Sequence, residues 1–118
     1  MMDWNEYQEQ IVATIKKMAG VSPEVVKGFL AVDQAPAKSA RLDAKLRELI
    51  AIAVAVTTRC DGCITFHTDA ALKAGATKEE VVEVLGVAIS LNAGAAMVYS
   101  TRALDAFEAK EGRAKSGA

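Results

Sequence analysis

Aromatic residues are scarce in this chain: three Phe, two Tyr and one Trp among 118 residues. A core with so few rings has to be assembled from Ala, Val, Leu and Ile, whose small side chains let helices approach closely. Neither sign of charge dominates, with 14 Lys and Arg against 15 Asp and Glu and a formal net charge of −1. Without a basic stripe to neutralise phosphates, no nucleic-acid partner is expected. Long apolar runs are missing too. The longest, Leu49 to Val56, falls far short of the roughly 20 residues that cross a bilayer, so no membrane association is expected. The opening stretch MMDWNEYQEQ is acidic and polar, where a secretory signal would be basic and then apolar. A soluble cytoplasmic protein is the expectation.

What is present is one domain's worth of chain, spanning residues 1–118, with 52% apolar residues and enough length to bury a core without staples. Periodicity predicts an all-α fold of about six helices. Trp4, Tyr7, Ile11, Ile15 and Met18 recur at steps of three and four, giving a first amphipathic helix that ends near Gly20. Ser22-Pro23-Glu24 reads as N-cap, N1 proline and first-turn acid of a second, with Val25, Val26, Phe29 and Leu30 on its buried face. The stretch from Asp33 to Arg41 contains Pro36 and loses periodicity, which predicts a connecting loop. A third helix starts at the N-cap Asp43 and runs to about Thr58. Its later half is apolar on nearly every side and must be covered on nearly every side.

Asp61-Gly62 is expected as a turn, and a fourth helix should begin around the cysteines and stop at Gly75. Thr77 with Glu80 forms a capping box that opens a fifth, with Val81, Val84, Leu85, Ala88 and Ile89 inward. The small-residue cluster Asn92 to Ala96 is a candidate bend. A sixth helix, with Tyr99, Ala103, Leu104 and Phe107 on one face, would lead into a frayed polar tail.

The chemistry-bearing residues are concentrated. Glu48, Cys60, Cys63 and His67, the chain's only cysteines and only histidine among them, lie within one twenty-residue stretch. Two cysteines three apart at a helix start can close a disulfide with little backbone movement. The helix N-terminus favours thiolate over thiol there. A thiolate can attack a peroxide oxygen or a disulfide, and the neighbouring thiol can resolve the product. His67, one turn beyond Cys63, can remove or return the sulfur's proton. If the third and fourth helices form a hairpin, Glu48 lies about 15 Å before the turn and His67 somewhat under 10 Å past it. Stagger or a bridging water would then let the carboxylate orient the imidazole.

Zinc on Cys60, Cys63 and His67 is a competing use of the same residues. Three ligands on one helix make a strained tetrahedron, and a fourth would have to be a carboxylate. Covalent haem needs a histidine directly after the second cysteine, a place held here by Ile64.

The run from Leu42 to about Phe107 resembles the carboxymuconolactone decarboxylase and alkylhydroperoxidase D-like superfamily. Its redox branch shows Glu, eleven residues, Cys-x-x-Cys, three residues, His. Glu48, Cys60, Cys63 and His67 match that pattern, and LDAKLREL and FHTDAALKAGATKEEVVEVL around them look like the family as well. The resemblance implies an all-helical fold assembling into homo-oligomers, commonly trimers or hexamers. It also implies an antioxidant thiol peroxidase or disulfide reductase with no bound metal, haem or flavin. By position, Cys63 would be the peroxidatic nucleophile and Cys60 the resolving thiol, with His67 assisting proton transfer and Glu48 supporting it. The electron donor would be a lipoyl-bearing or thioredoxin-like dithiol protein.

Two departures stand out. Alkylhydroperoxidase D proper carries a second histidine between its cysteines, where this chain has Gly62, and it is longer by a helical portion. The superfamily's other activity, decarboxylation of a muconolactone, would use His67 and Glu48 with Arg47 or Arg59 holding a carboxylate, and would leave the thiols idle. A non-enzymatic redox-sensing oligomer would use the thiols alone.

Overall fold

A computed structural model describes residues 1–117 of the chain. Five helices and no strand are present among the described residues: α1 (Trp4–Val21), α2 (Pro23–Ser39), α3 (Ala44–Thr58), α4 (Asp61–Lys73) and α5 (Lys78–Lys115). The starts follow local chemistry. Asp3 caps α1 by accepting the Glu6 N–H at 3.0 Å, and Asp43 caps α3 by accepting the Leu46 N–H at 2.8 Å. Each bond satisfies one of the amide donors that a first helical turn leaves without a partner. Thr77 and Glu80 exchange both bonds of a capping box, each at 3.1 Å, and open α5.

Three sequence expectations are corrected. Residues Asp33 to Ser39, expected as loop, continue α2 through Pro36. The proline removes one helical N–H, but this stretch is wholly exposed, so water can satisfy the carbonyl it leaves free, and Ala35, Ala37 and Lys38 favour helix. Asp61-Gly62 is no turn but the first turn of α4. The reversal is made one step earlier, by Arg59 in the left-handed region at φ 56. The expected fifth and sixth helices are one 38-residue helix, α5. The helix runs unbroken through Asn92 to Ala96, where the Asn92 Nδ2 donates to the Ala88 carbonyl, 2.7 Å away, and also reaches Thr57 of α3.

The body is a three-helix layer. α3 and α5 run parallel, tied at one end by Lys45 Nζ to Glu80 Oε2 at 2.8 Å and at the other by Asn92 Nδ2 to Thr57 Oγ1 at 2.9 Å. α4 returns antiparallel along α3. The core is small: Leu49, Ile52 and Ala71 are buried, with Val81, Val84 and Leu85 packed against them. Ile52, 2% exposed, is its centre, and burying such a side chain contributes about 1.5–3 kcal/mol.

α1 lies against α4, and α2 packs on α1. The buried hydroxyl of Thr65 is the polar tie between α1 and α4, within donating distance of the Trp4 carbonyl (3.1 Å) and of Gln8 Oε1 (3.0 Å). Ile89, expected on the inward face, is exposed, and so are Tyr99, Leu104 and Phe107. Tyr99, Leu104 and Phe107 lie on the part of α5 that runs on beyond the end of α3.

Candidate functional site: a disulfide-forming pair beside a carboxylate–imidazole couple

Two left-handed closures shape the α3–α4 hairpin that carries the site. Arg59 ends α3, and the Cys60 N–H donates back to the Ala55 carbonyl at 3.0 Å. Gly75, at φ +91, ends α4 with the Ala76 N–H donating to the Ala71 carbonyl at 2.9 Å. Glycine suits that second position because it lacks the Cβ that strains positive φ. The first closure is so tight that only Arg59 and Cys60 separate the two helices.

Cys60 therefore becomes the N-cap of α4. It is joined to Cys63 by a disulfide, with the Cα atoms 5.2 Å apart, inside the range that bridges without backbone movement. The Cys63 N–H also points at Cys60 Sγ, 3.2 Å away. A sulfur at an N-cap meets the free amide donors and positive dipole end of the helix, which stabilise negative charge on it. Of the two sulfurs, Cys60 receives that stabilisation most directly.

One turn further, His67 Nδ1 lies 2.6 Å from Oε2 of Glu48. The couple crosses from α4 to α3 directly, with no bridging water needed. Both side chains are partly shielded, 30% exposed for His67 and 22% for Glu48. With Nδ1–H donating to the carboxylate, Nε2 is the ring nitrogen left to exchange protons. All four residues singled out in the sequence thus sit on one hairpin: the cysteines at the head of α4, His67 one turn along it, and Glu48 opposite.

α1 closes the other side. Ile11 Cδ1 lies 3.4 Å from where a Cβ on Gly62 would stand, so α1 packs directly over the residues between the cysteines. Thr65 and Gln8 hold that contact, and Gln8 Nε2 also reaches Asp69 Oδ2 at 3.4 Å. Sequence reasoning missed these positioning residues. A threonine and a glutamine 57 residues apart carry no shared motif.

The arginines considered for anion binding are placed differently. Arg47 Nη1 donates to the Leu42 carbonyl at 2.9 Å, and Arg59 is exposed at the hairpin turn. No group of three or more His, Cys, Asp or Glu side chains is gathered for a metal ion among the described residues. The paired cysteines face each other, and His67 faces Glu48.

Comparison with known proteins agrees with this architecture. The family model for the carboxymuconolactone decarboxylase family matches residues 23–106, which takes in α2 as well as the hairpin. An uncharacterized protein of Haemophilus influenzae is 45% identical over 109 residues, covering 92% of this chain and 96% of its own length. An uncharacterized protein encoded in the cox locus of Paracoccus denitrificans is 32% identical over 100 residues, covering 85% of this chain and 90% of its own. The crystal structure of apo-lpg0406, a carboxymuconolactone decarboxylase family protein from Legionella pneumophila, superposes with a TM-score of 0.71 at 39% identity. That match covers 89% of this chain and 94% of the other. With five helices, the paired cysteines and a family match over most of its length, this chain belongs to the carboxymuconolactone decarboxylase family.

Proposed function

We propose that the protein is a thiol-dependent hydroperoxidase of the alkylhydroperoxidase D-like kind, cycling between a Cys60/Cys63 dithiol and the disulfide. The observation that carries this reading is the disulfide at the head of α4, one turn from the His67–Glu48 couple.

In the reduced protein, His67 Nε2 takes the proton of Cys63. The thiolate attacks the terminal oxygen of a hydroperoxide, the O–O bond breaks, and the alkoxide leaves as an alcohol on receiving the proton that His67 holds. Cys63 is then a sulfenic acid. Cys60, its thiolate favoured at the N-cap, attacks Cys63 Sγ; hydroxide departs and is protonated to water, and the disulfide forms. A small dithiol donor of the dihydrolipoyl or thioredoxin-like class returns two electrons and two protons and leaves as its own disulfide. No bound metal, haem or flavin enters the cycle, and a reducing cytoplasm is the compartment that would sustain it.

The family's named decarboxylation is a weaker fit to this site. It would need an anion clamp beside His67, whereas Arg47 is engaged with Leu42 and Arg59 stands in solvent.

The test is intact mass of fully reduced protein mixed with one equivalent of an organic hydroperoxide, without reductant. Loss of two hydrogens is expected in the wild type. Cys60→Ser should gain one oxygen and stop, and Cys63→Ser should stay unchanged. Consumption of the hydroperoxide by Cys63→Ser at the wild-type rate would defeat the assignment.

A further inference from the structure

The turn that presents the disulfide carries one cation. Between Arg47 and Lys73, Arg59 is the only lysine or arginine. It is exposed, and the next residue is Cys60. Among the described residues its guanidinium joins none of the ion pairs, which link Lys45 to Glu80, His67 to Glu48, Lys73 to Asp69 and Lys115 to Glu111. Arg47, at the start of α3, donates instead to the Leu42 carbonyl. The end of α3 is closed by backbone, with the Cys60 N–H on the Ala55 carbonyl at 3.0 Å.

The backbone gives a second reason to ask what this side chain does. Arg59 lies in the left-handed region at φ 56, where a Cβ is strained and glycine is not. Glycine takes the left-handed position after α4. Of the two described non-glycine residues at positive φ, Ala40 ends α2, and Arg59 alone adjoins the cysteines. Strain kept at such a place is accounted for by function. An arginine with no partner inside the chain has its guanidinium free for a molecule that arrives at the disulfide.

Reduction of the disulfide brings an anion to that spot, because the attacking species in thiol–disulfide exchange is a thiolate. One thiolate of a dithiol donor attacks a sulfur of the Cys60–Cys63 bond. That bond breaks as a mixed disulfide forms, and the other cysteine leaves as a thiolate and takes a proton. The donor's second thiolate then attacks the mixed disulfide, closes the donor's own disulfide and releases the first cysteine, which takes the second proton. On the other side of Cys60 stands Asp61, exposed and of the same sign as the incoming thiolate. Arg59 is the group that offsets this repulsion.

We propose that Arg59 is the donor-side specificity residue of this redox pair, favouring dithiols that carry a carboxylate within side-chain reach of the attacking sulfur. The proposal rests on the reading of Cys60 and Cys63 as a cycling pair. Opposite unit charges about 6 Å apart in water attract enough to raise a rate about threefold. Salt screens the effect, with a Debye length of about 30 Å at about 0.01 M and about 3 Å at about 1 M.

Dihydrolipoate and dihydrolipoamide carry the same dithiol on the same carbon chain, and only the first ends in a carboxylate. Each is mixed with the oxidised full chain, without peroxide, and protein thiols are scored by intact mass after rapid acid quench and alkylation. The two rates are normalised to the same donors reacting with a small neutral disulfide. At about 0.01 M salt the wild type is expected to react about threefold faster with dihydrolipoate, and at about 1 M salt equally fast with both. Arg59→Lys should keep the preference. Arg59→Gln should bring the ratio to one or below, since Asp61 remains. A wild-type ratio of one or less at low salt, an unchanged ratio in Arg59→Gln, or a preference lost in Arg59→Lys overturns the proposal and leaves the redox pair standing. A disulfide that neither donor reduces overturns the redox reading and this proposal with it. Should Arg59→Gln fail to fold, a wild-type preference that survives about 1 M salt overturns the proposal equally.

Discussion

Replacing Glu48 by Gln tests whether the carboxylate works through the imidazole. Gln is nearly isosteric and its Oε1 can still accept from His67 Nδ1–H, so ring orientation is kept and only the charge is removed. A hydrogen bond to a charged group contributes about 1.5–3 kcal/mol when well shielded. Here the side chains are 22% and 30% exposed, and solvent screening takes the value to the lower end, about 1–1.5 kcal/mol. If Glu48 stabilises the imidazolium that forms as Cys63 gives up its proton, this becomes a five- to tenfold slower reaction. The assay is rapid quench of reduced protein with an organic hydroperoxide at neutral pH, scoring thiols lost. His67→Asn should cost about a hundredfold, as removal of a general base does. Glu48→Gln added to His67→Asn should cost less than a further twofold, because the carboxylate has lost the group it acts through. Equal fold losses from Glu48→Gln in both backgrounds would refute the coupling, and so would no loss in the wild-type background. Thermal melts of each variant separate a catalytic deficit from an unfolded site.

Two further substitutions address what holds the site. Thr65→Val keeps the shape but removes the hydroxyl that joins α4 to Trp4 and Gln8; about 1 kcal/mol should be lost, a fall of about 3–6 °C in Tm by calorimetry. An unchanged Tm would mean that α1 is held by apolar contact alone. For Glu80, the Lys45 ammonium and the Thr77 N–H hold the carboxyl below its ordinary value of 4.5. The depressed value means this carboxylate adds stability above about pH 4.5, lost as pH falls through the folded-state value. Melts from pH 6 to pH 3 should therefore show a shallower acid decline in Glu80→Gln than in the wild type, and parallel declines would contradict the pairing.

The helix starts were legible because they are decided locally. Asp43 and the Thr77/Glu80 box each satisfy amides within three residues of themselves, and no distant contact overrides that. The turn from α3 to α4 was misplaced by one or two residues. Asp-Gly is a strong turn signal, but the Arg59 left-handed closure competes for the same reversal and wins by pairing the Cys60 N–H with Ala55. Pro36 and the Asn92–Ala96 cluster were read as interruptions for the converse reason. The effect of each depends on whether water or a neighbouring group can satisfy the backbone it disturbs.

By itself the sequence determined the helical class, the boundaries that caps enforce, and the one-turn spacing that sets Cys60, Cys63 and His67 along α4. These follow from periodicity and from bonds between near neighbours. Only the tertiary structure decided that Glu48 meets His67 at 2.6 Å, that α1 is tied over the cysteine pair through Thr65, and that half of α5 stands free. Those outcomes depend on the hairpin's register and on which apolar faces find a partner within the chain, and neither is encoded in any single stretch.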